Sequence, residues 1–193
     1  MRASLTLTLA VVVGCAGATP APAIAPSASS PACVDPAFRA FDFWIGAWDV
    51  TVKAPATPGA PWASARGTQR VEAILGGCAI AEHFAADGPG PAWAGTSLSV
   101  WQPALGQWRQ TWVDDQGGYL AFTGGIEDGA MTLYGEPRAQ QGVMTRKRMR
   151  FERVTADALH WVWQQTTDDG ATWQDLMTID YVRAANQTGT HSR

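Results

Sequence analysis

An all-β fold, a closed antiparallel meander barrel of about ten strands with a short N-terminal helix, is predicted by three features of the sequence. First, ten short runs rich in β-branched and aromatic residues succeed one another between positions 48 and 183. Second, the links between them are short and carry turn residues. None has the length of the helical crossover that a parallel pair needs. Third, twenty Gly, twelve Pro and ten Trp in 193 residues suit a turn-rich sheet with large aromatic contacts. An open meander of this size exposes two long edges, which closure removes. A two-sheet sandwich is the competing architecture.

The opening MRASLTLTLAVVVGC reads as a secretory signal over residues 1–14. Arg2 supplies its positive charge, and the apolar stretch Leu5–Val13 is shorter than the ~20 residues a helix needs to span a bilayer. Val12-Val13-Gly14-Cys15 resembles the lipobox of bacterial lipoproteins, in which the Cys is acylated. Ala16, where an Asp would redirect the protein, points to the periplasmic side of the outer membrane. The alternative is an ordinary cleaved signal ending at Ala16-Gly17-Ala18, which gives a soluble periplasmic or secreted protein. Either way the expected location is the bacterial cell envelope, with membrane contact through a lipid anchor only. Residues 15–32, mainly Pro, Ala and Ser, form a flexible stalk, because little in them can repay ordering. Residues 33–183 form the barrel domain, and the polar, aperiodic 184–193 a disordered tail.

Within the domain, Asp35–Phe43 supports one or two helical turns, with Asp35 as N-cap and Pro36 at the first helical position. The strands then follow: WDVTVKA, WASARGTQRVEAIL, CAIAEHFAA, GTSLSVWQ, QWRQTWVDD, YLAFTGG, AMTLYGE, VMTRKRMRFERV, LHWVWQQTT and TWQDLMTIDYVR. PALG, QGG, EDG, PRAQQG, TADA and DDGA serve as hairpin-type loops between the later ones. With Cys15 lipidated, Cys33 and Cys78 remain as an even pair in an oxidising compartment, so a Cys33–Cys78 disulfide is expected to pin the stalk end to the sheet.

Six residues are candidates for ligand binding: Glu82, Gln110, Trp112, Trp161, Trp163 and Arg148. Glu82 shares a strand face with Ile80 and Phe84, and a carboxylate among apolar neighbours is a candidate functional group. His83 alternates to the opposite face, so the two form no dyad. Trp108 and Trp112, with Gln110 between them, share one face, and Trp161 and Trp163 share another with Leu159 and Gln165. Indoles fill a wide barrel or offer an N–H to a ligand, and both roles stay open for them. Arg146, Arg148 and Arg150 alternate with Thr145, Lys147, Met149 and Phe151. If Met149 and Phe151 face inward, the arginines are a solvated stripe. If the arginines face inward, Arg148 can grip a carboxylate or phosphate. Trp44 and Trp48 are assigned to structure.

The charge balance, 14 Lys+Arg against 17 Asp+Glu, lacks the basic excess of a nucleic-acid binder. Asp168 to Trp173 (DDGATW, preceded by Thr166) resembles the Asp-box of sialidases, but it occurs once and reads as a hairpin turn. His83, His160 and His191 have no metal-ligand spacing. With no GxSxG elbow, phosphate loop or dinucleotide fingerprint, no cofactor is expected and the case for an enzyme is weakened.

The run Phe41-Asp42-Phe43-Trp44-Ile45-Gly46-Ala47-Trp48-Asp49-Val50 resembles the opening of a family of bacterial secreted proteins with a lipocalin-like, calycin-type barrel. ILGGCAIAEHF (74–84), GTSLSVWQPALGQWRQTWVDDQGG (95–118) and TTDDGATWQDLMTIDYVR (166–183) resemble the same family. Ala47 departs from the acidic residue that the family pattern puts after the Gly. Gly46-x-Trp48 also resembles lipocalins and nitrobindin-like barrels, in which the Trp closes the floor. Nitrobindins bind haem through a His, and His160, the sole candidate here, alternates away from Trp161 and Trp163.

The function expected from these residues is an envelope β-barrel that binds a small apolar or amphipathic molecule in its interior. An envelope enzyme of isomerase, cyclase or hydrolase type using a buried carboxylate is one alternative. A ligand-free structural or partner-binding module is another. A closed cavity of ~300 Å³ or more favours a binder. A carboxylate in it within hydrogen-bond reach of a second polar group favours the enzyme.

Overall fold

A computed structural model describes residues 33–87 and 91–185. The expected signal peptide and stalk, and all but two residues of the expected tail, lie outside the described residues, Cys15 among them. Among the described residues there are eleven strands: β1 (Gly46–Pro55), β2 (Trp62–Ile74), β3 (Ala79–Ala86), β4 (Trp93–Gln102), β5 (Gln107–Asp114), β6 (Tyr119–Glu127), β7 (Ala130–Gly135), β8 (Arg138–Gln140), β9 (Val143–Glu152), β10 (Ala158–Thr166) and β11 (Gln174–Arg183). Ten of them form the ring β1-β2-β3-β4-β5-β6-β7-β9-β10-β11, every pair antiparallel. A ladder from Trp48↔Arg183 to Lys53↔Thr178 joins β11 back to β1, so the barrel is closed and the sandwich alternative falls away.

The extra strand β8 lies in PRAQQG, expected as a plain loop. Gln141 (φ 50°) and Gly142 (φ 81°) make a tight hairpin turn that pairs β8 with the start of β9. Pro137, which has no ladder N–H to give, separates β8 from β7.

The N-terminal helix is two short 3₁₀ turns, Pro36–Arg39 and Asp42–Trp44. The Asp35 carboxylate accepts the Ala37 N–H at 2.8 Å, as an N-cap does. The second turn plugs one end of the barrel. The Phe41 ring, fully buried, stands 5.3 Å from Trp108 and 5.0 Å from Phe151, edge to face with both. β1 then leaves the plug with Trp48, Val50 and Val52 turned inward and buried. Each valine contributes about 1.5–3 kcal/mol by burial.

Gly46 explains the Gly-x-Trp spacing. Its φ is 139°, and a Cβ there would meet the Arg183 guanidinium at 1.9 Å. That guanidinium lies 3.7 Å from the centre of the Trp48 ring and donates to the Ile45 carbonyl at 2.5 Å. Trp48 Nε1 donates to the Trp44 carbonyl at 2.8 Å. The first and last strands and the plug are thus locked together where the chain enters the barrel. Cys33 and Cys78 form the expected disulfide, with Cα atoms 5.2 Å apart.

Candidate functional site

Above the plug the barrel encloses a cavity of about 210 Å³. Its deep residues, among them Trp44, Glu82, Gln110 and Tyr181, are buried, whereas Trp93, Trp112, Leu120, Lys147, Trp163 and Met177 are partly exposed. The cavity therefore opens at the end opposite the plug, where β5 hands over to β6 and β7 to β9.

Two aromatic walls define it. On one side Trp112 packs edge-on against Trp93 at 5.7 Å and Phe84 at 6.2 Å. Gly95 makes room for the Trp112 indole, since a Cβ there would come within 2.1 Å of Cζ2. On the other side Trp161 and Trp163 lie parallel with centroids 6.1 Å apart, and Phe122 meets Trp163 edge-on at 5.5 Å. Alternation along β10 sends both indoles inward, as their shared strand face requires.

Between the walls runs a polar strip set by strand register. Glu82 on β3 faces Ser97 on β4, and the Ser97 hydroxyl donates to Glu82 Oε2. One step along, Ser99 faces Gln110 on β5, whose Nε2 donates to the Ser99 hydroxyl at 2.9 Å. Burial, offset in part by the Ser97 hydrogen bond, pushes the Glu82 carboxyl from 4.5 up to about 7. The buried Tyr181 hydroxyl donates to Gln69 Oε1 at 3.0 Å. Burial, and then the Glu82 charge, lift its ionisation well above the ordinary 10.0.

Glu82, Gln110, Trp112, Trp161 and Trp163 all line this one cavity. Arg148 does not. Met149 and Phe151 are the inward residues of β9, so the arginines point outward. There Arg148 Nε donates to Gln164 Oε1 at 2.6 Å and its guanidinium covers Trp173 at 3.9 Å. Trp173 belongs to the Asp-box-like turn, which behaves as a turn: Asp168 Oδ1 accepts the Thr172 N–H at 2.9 Å, and Gly170 takes φ 93°. Several cavity residues escape the sequence reading, Lys147, Trp93, Asp114 and Tyr181 among them. Lys147 shares the inner parity of Met149, and its position in an arginine-rich run masked it. Trp93 and Asp114 sit at strand ends, where alternation says least.

Neither of the two described histidines fits a haem held by His. His83 is exposed, and His160 turns to the outer face, where Nδ1 lies 2.6 Å from Asp180 Oδ1. Among the described residues no cluster of three or more His, Cys, Asp or Glu side chains has metal-holding geometry.

A ten-stranded closed barrel with a plugged floor and a small aromatic-walled cavity is the class that fold and site define. Residues 38–183 match the family described as "Protein of unknown function (DUF1579)", and the chain belongs to that family. Its fold is similar to that in "Crystal Structure of Rv2717c from M. tuberculosis", with a TM-score of 0.54, 15% sequence identity, and coverage of 78% of this chain and 98% of that one. At that identity the likeness concerns fold alone. No curated protein matches the chain.

Proposed function

We propose that the barrel binds a small apolar or amphipathic molecule in its interior. The observation that carries this reading is a cavity of about 210 Å³ between two aromatic walls, closed below and open above. That volume misses the ~300 Å³ expected of a binder of drug-sized molecules, and exceeds the ~150 Å³ that suffices for benzene, so the reading narrows to a smaller ligand. The ligand is therefore of one-ring size. Exposure of the full-chain protein to toluene, indole and octanol tests it. A molecule that occupies the cavity quenches or shifts Trp fluorescence saturably and stabilises the fold by ~2.7 kcal/mol at a hundredfold excess over its Kd. If none of the three does either, the cavity is a packing gap and the reading fails.

The reading includes an envelope location, through the lipobox-like Val12–Cys15 run or an ordinary cleaved signal. The Cys33–Cys78 disulfide supports such an oxidising compartment. The Glu82–Ser97 contact gives some support to the enzyme alternative, since it puts a buried carboxyl beside a second polar group. Turnover of a bound molecule, lost in Glu82→Gln, would favour catalysis over binding.

A further inference from the structure

Resting on that binding reading, we infer that the cavity is built for a small hydroxy acid, its hydroxyl seated at the Glu82 end and its carboxylate at the Lys147 end. Lys147 is, among the described residues, the single cation on the cavity wall. Among the described residues no carboxylate lies within ion-pairing distance of its ammonium. Nζ sits instead 5.7 Å from the centre of the Trp163 ring. Lys147 is partly exposed and Glu82 only 6% exposed, so the ammonium stands toward the mouth and the carboxyl at depth. An inward lysine above an indole, without a counter-ion, is placed to receive an anion.

Asp114 is the other charged side chain at the mouth of this cavity, three strands away round the ring, while Glu136 and Arg138 line with Lys147 the smaller recess beside it, neither of them in an ion pair with Lys147. The Asp114 carboxylate already accepts from Trp112 Nε1 at 3.0 Å, Gly118 N at 2.7 Å and Gln116 N at 3.1 Å. It is committed to the turn after β5 and leaves Lys147 unmatched.

The deep end offers the opposite chemistry. Ser97 occupies Glu82 Oε2, and Gln110 spends Nε2 on Ser99. Glu82 Oε1 and Gln110 Oε1 receive no hydrogen bond from the described residues. A hydroxyl suits both, because it donates to a carboxylate or an amide oxygen and accepts from a carboxylic acid. A buried ammonium in the same place would lose its hydration, and a neutral hydroxyl avoids that cost. The two aromatic walls take the apolar body between these ends.

The test uses the full-chain protein and matched probes: para-hydroxyphenylacetate and its propanoate homologue, phenylacetate without the hydroxyl, and para-cresol without the carboxylate. One of the hydroxy acids should bind about tenfold tighter than either truncated probe. Lys147→Met should abolish the advantage over para-cresol alone, and Glu82→Met the advantage over phenylacetate alone. If either variant fails to fold, the ranking of the four probes on wild type decides. Equal binding of all four overturns the hydroxy-acid assignment and leaves an unselective apolar pocket. No binding of any probe, while toluene or indole stabilises the fold, also overturns it. Only failure of toluene, indole and octanol together with all four probes removes the binding reading itself.

Discussion

Replacing Glu82 by Gln isolates the one carboxyl that the cavity buries. Burial moves this group from 4.5 to about 7, against the opposing pull of Ser97. Unfolding returns it to its ordinary value. Between those two values the folded state holds a proton that the unfolded state has lost, so stability falls as pH rises through the window. The loss is complete above the folded value, and a shift of this size is worth about 3 kcal/mol. Glu82 is only 6% exposed, so water screens little of that cost. Gln keeps the shape and the contact to Ser97 but cannot ionise. The stability of Glu82→Gln minus that of wild type should therefore grow by up to ~3 kcal/mol from pH ~4.5 to pH ~8. Urea unfolding at half-unit pH steps, followed by Trp fluorescence, measures it. Histidines and surface carboxylates titrate in both proteins and drop out of the difference. A difference that stays flat across the window would mean that the carboxyl is hydrated, and the dry, polar-striped floor would be wrong.

Four further outcomes are expected. Trp108→Ala, at a side chain 1% exposed, should cost ~3–5 kcal/mol, while Trp163→Ala, half-exposed on the cavity wall, should cost clearly less and weaken probe binding more; thermal melts with and without indole separate the two. Reduction of Cys33–Cys78 should remove ~2–4 kcal/mol, and non-reducing peptide maps should show the cross-link, whereas two freely alkylated thiols in the native protein would contradict it. Gly95→Ala should displace the Trp112 indole, read as a red-shifted emission with loss of stability, because its Cβ has no room. Cys15→Ser should move the protein from membrane to soluble fractions of its host, and a wild type already soluble with an N-terminus at Thr19 would rule out the lipid anchor.

The ten strands of the ring and their order were legible, the hairpin strand β8 excepted, because each ring strand is bounded by local turn chemistry, as at Asp168–Gly170, and turn residues act within a few positions. Alternation put Trp161 with Trp163, and Glu82 with Phe84, correctly on shared faces. What alternation does not supply is which face is the inner one. That depends on register with neighbours far along the chain. For β9 the choice put Arg148 outside and Lys147 inside. β4 shows the same limit more sharply. Its apolar Leu98 and Val100 are exposed at 54% and 41%, and the small Ser97 and Ser99 point inward at 2% and 1%. Glu82 and Gln110 on the flanking strands need those hydroxyls, and the Trp112 indole needs the space. The strip that gives the cavity its chemistry is therefore a product of three strands in register, invisible in any one of them.

The disulfide has a mechanical consequence. Tension applied to the chain on the N-terminal side of Cys33 passes through the sulfur bridge to Cys78, directly at the head of β3. Residues 34–77, which include the Phe41–Trp44 plug, β1 and β2, are bypassed. β3 is gripped by ladders on both flanks, to β2 and to β4, so the pull meets two rows of hydrogen bonds loaded together. Without the bridge the same pull would act first on the plug and draw it out of the barrel one contact at a time. Were the barrel to hang from a membrane by its N-terminus, as the anchor proposal has it, the cross-link would keep the floor seated under load.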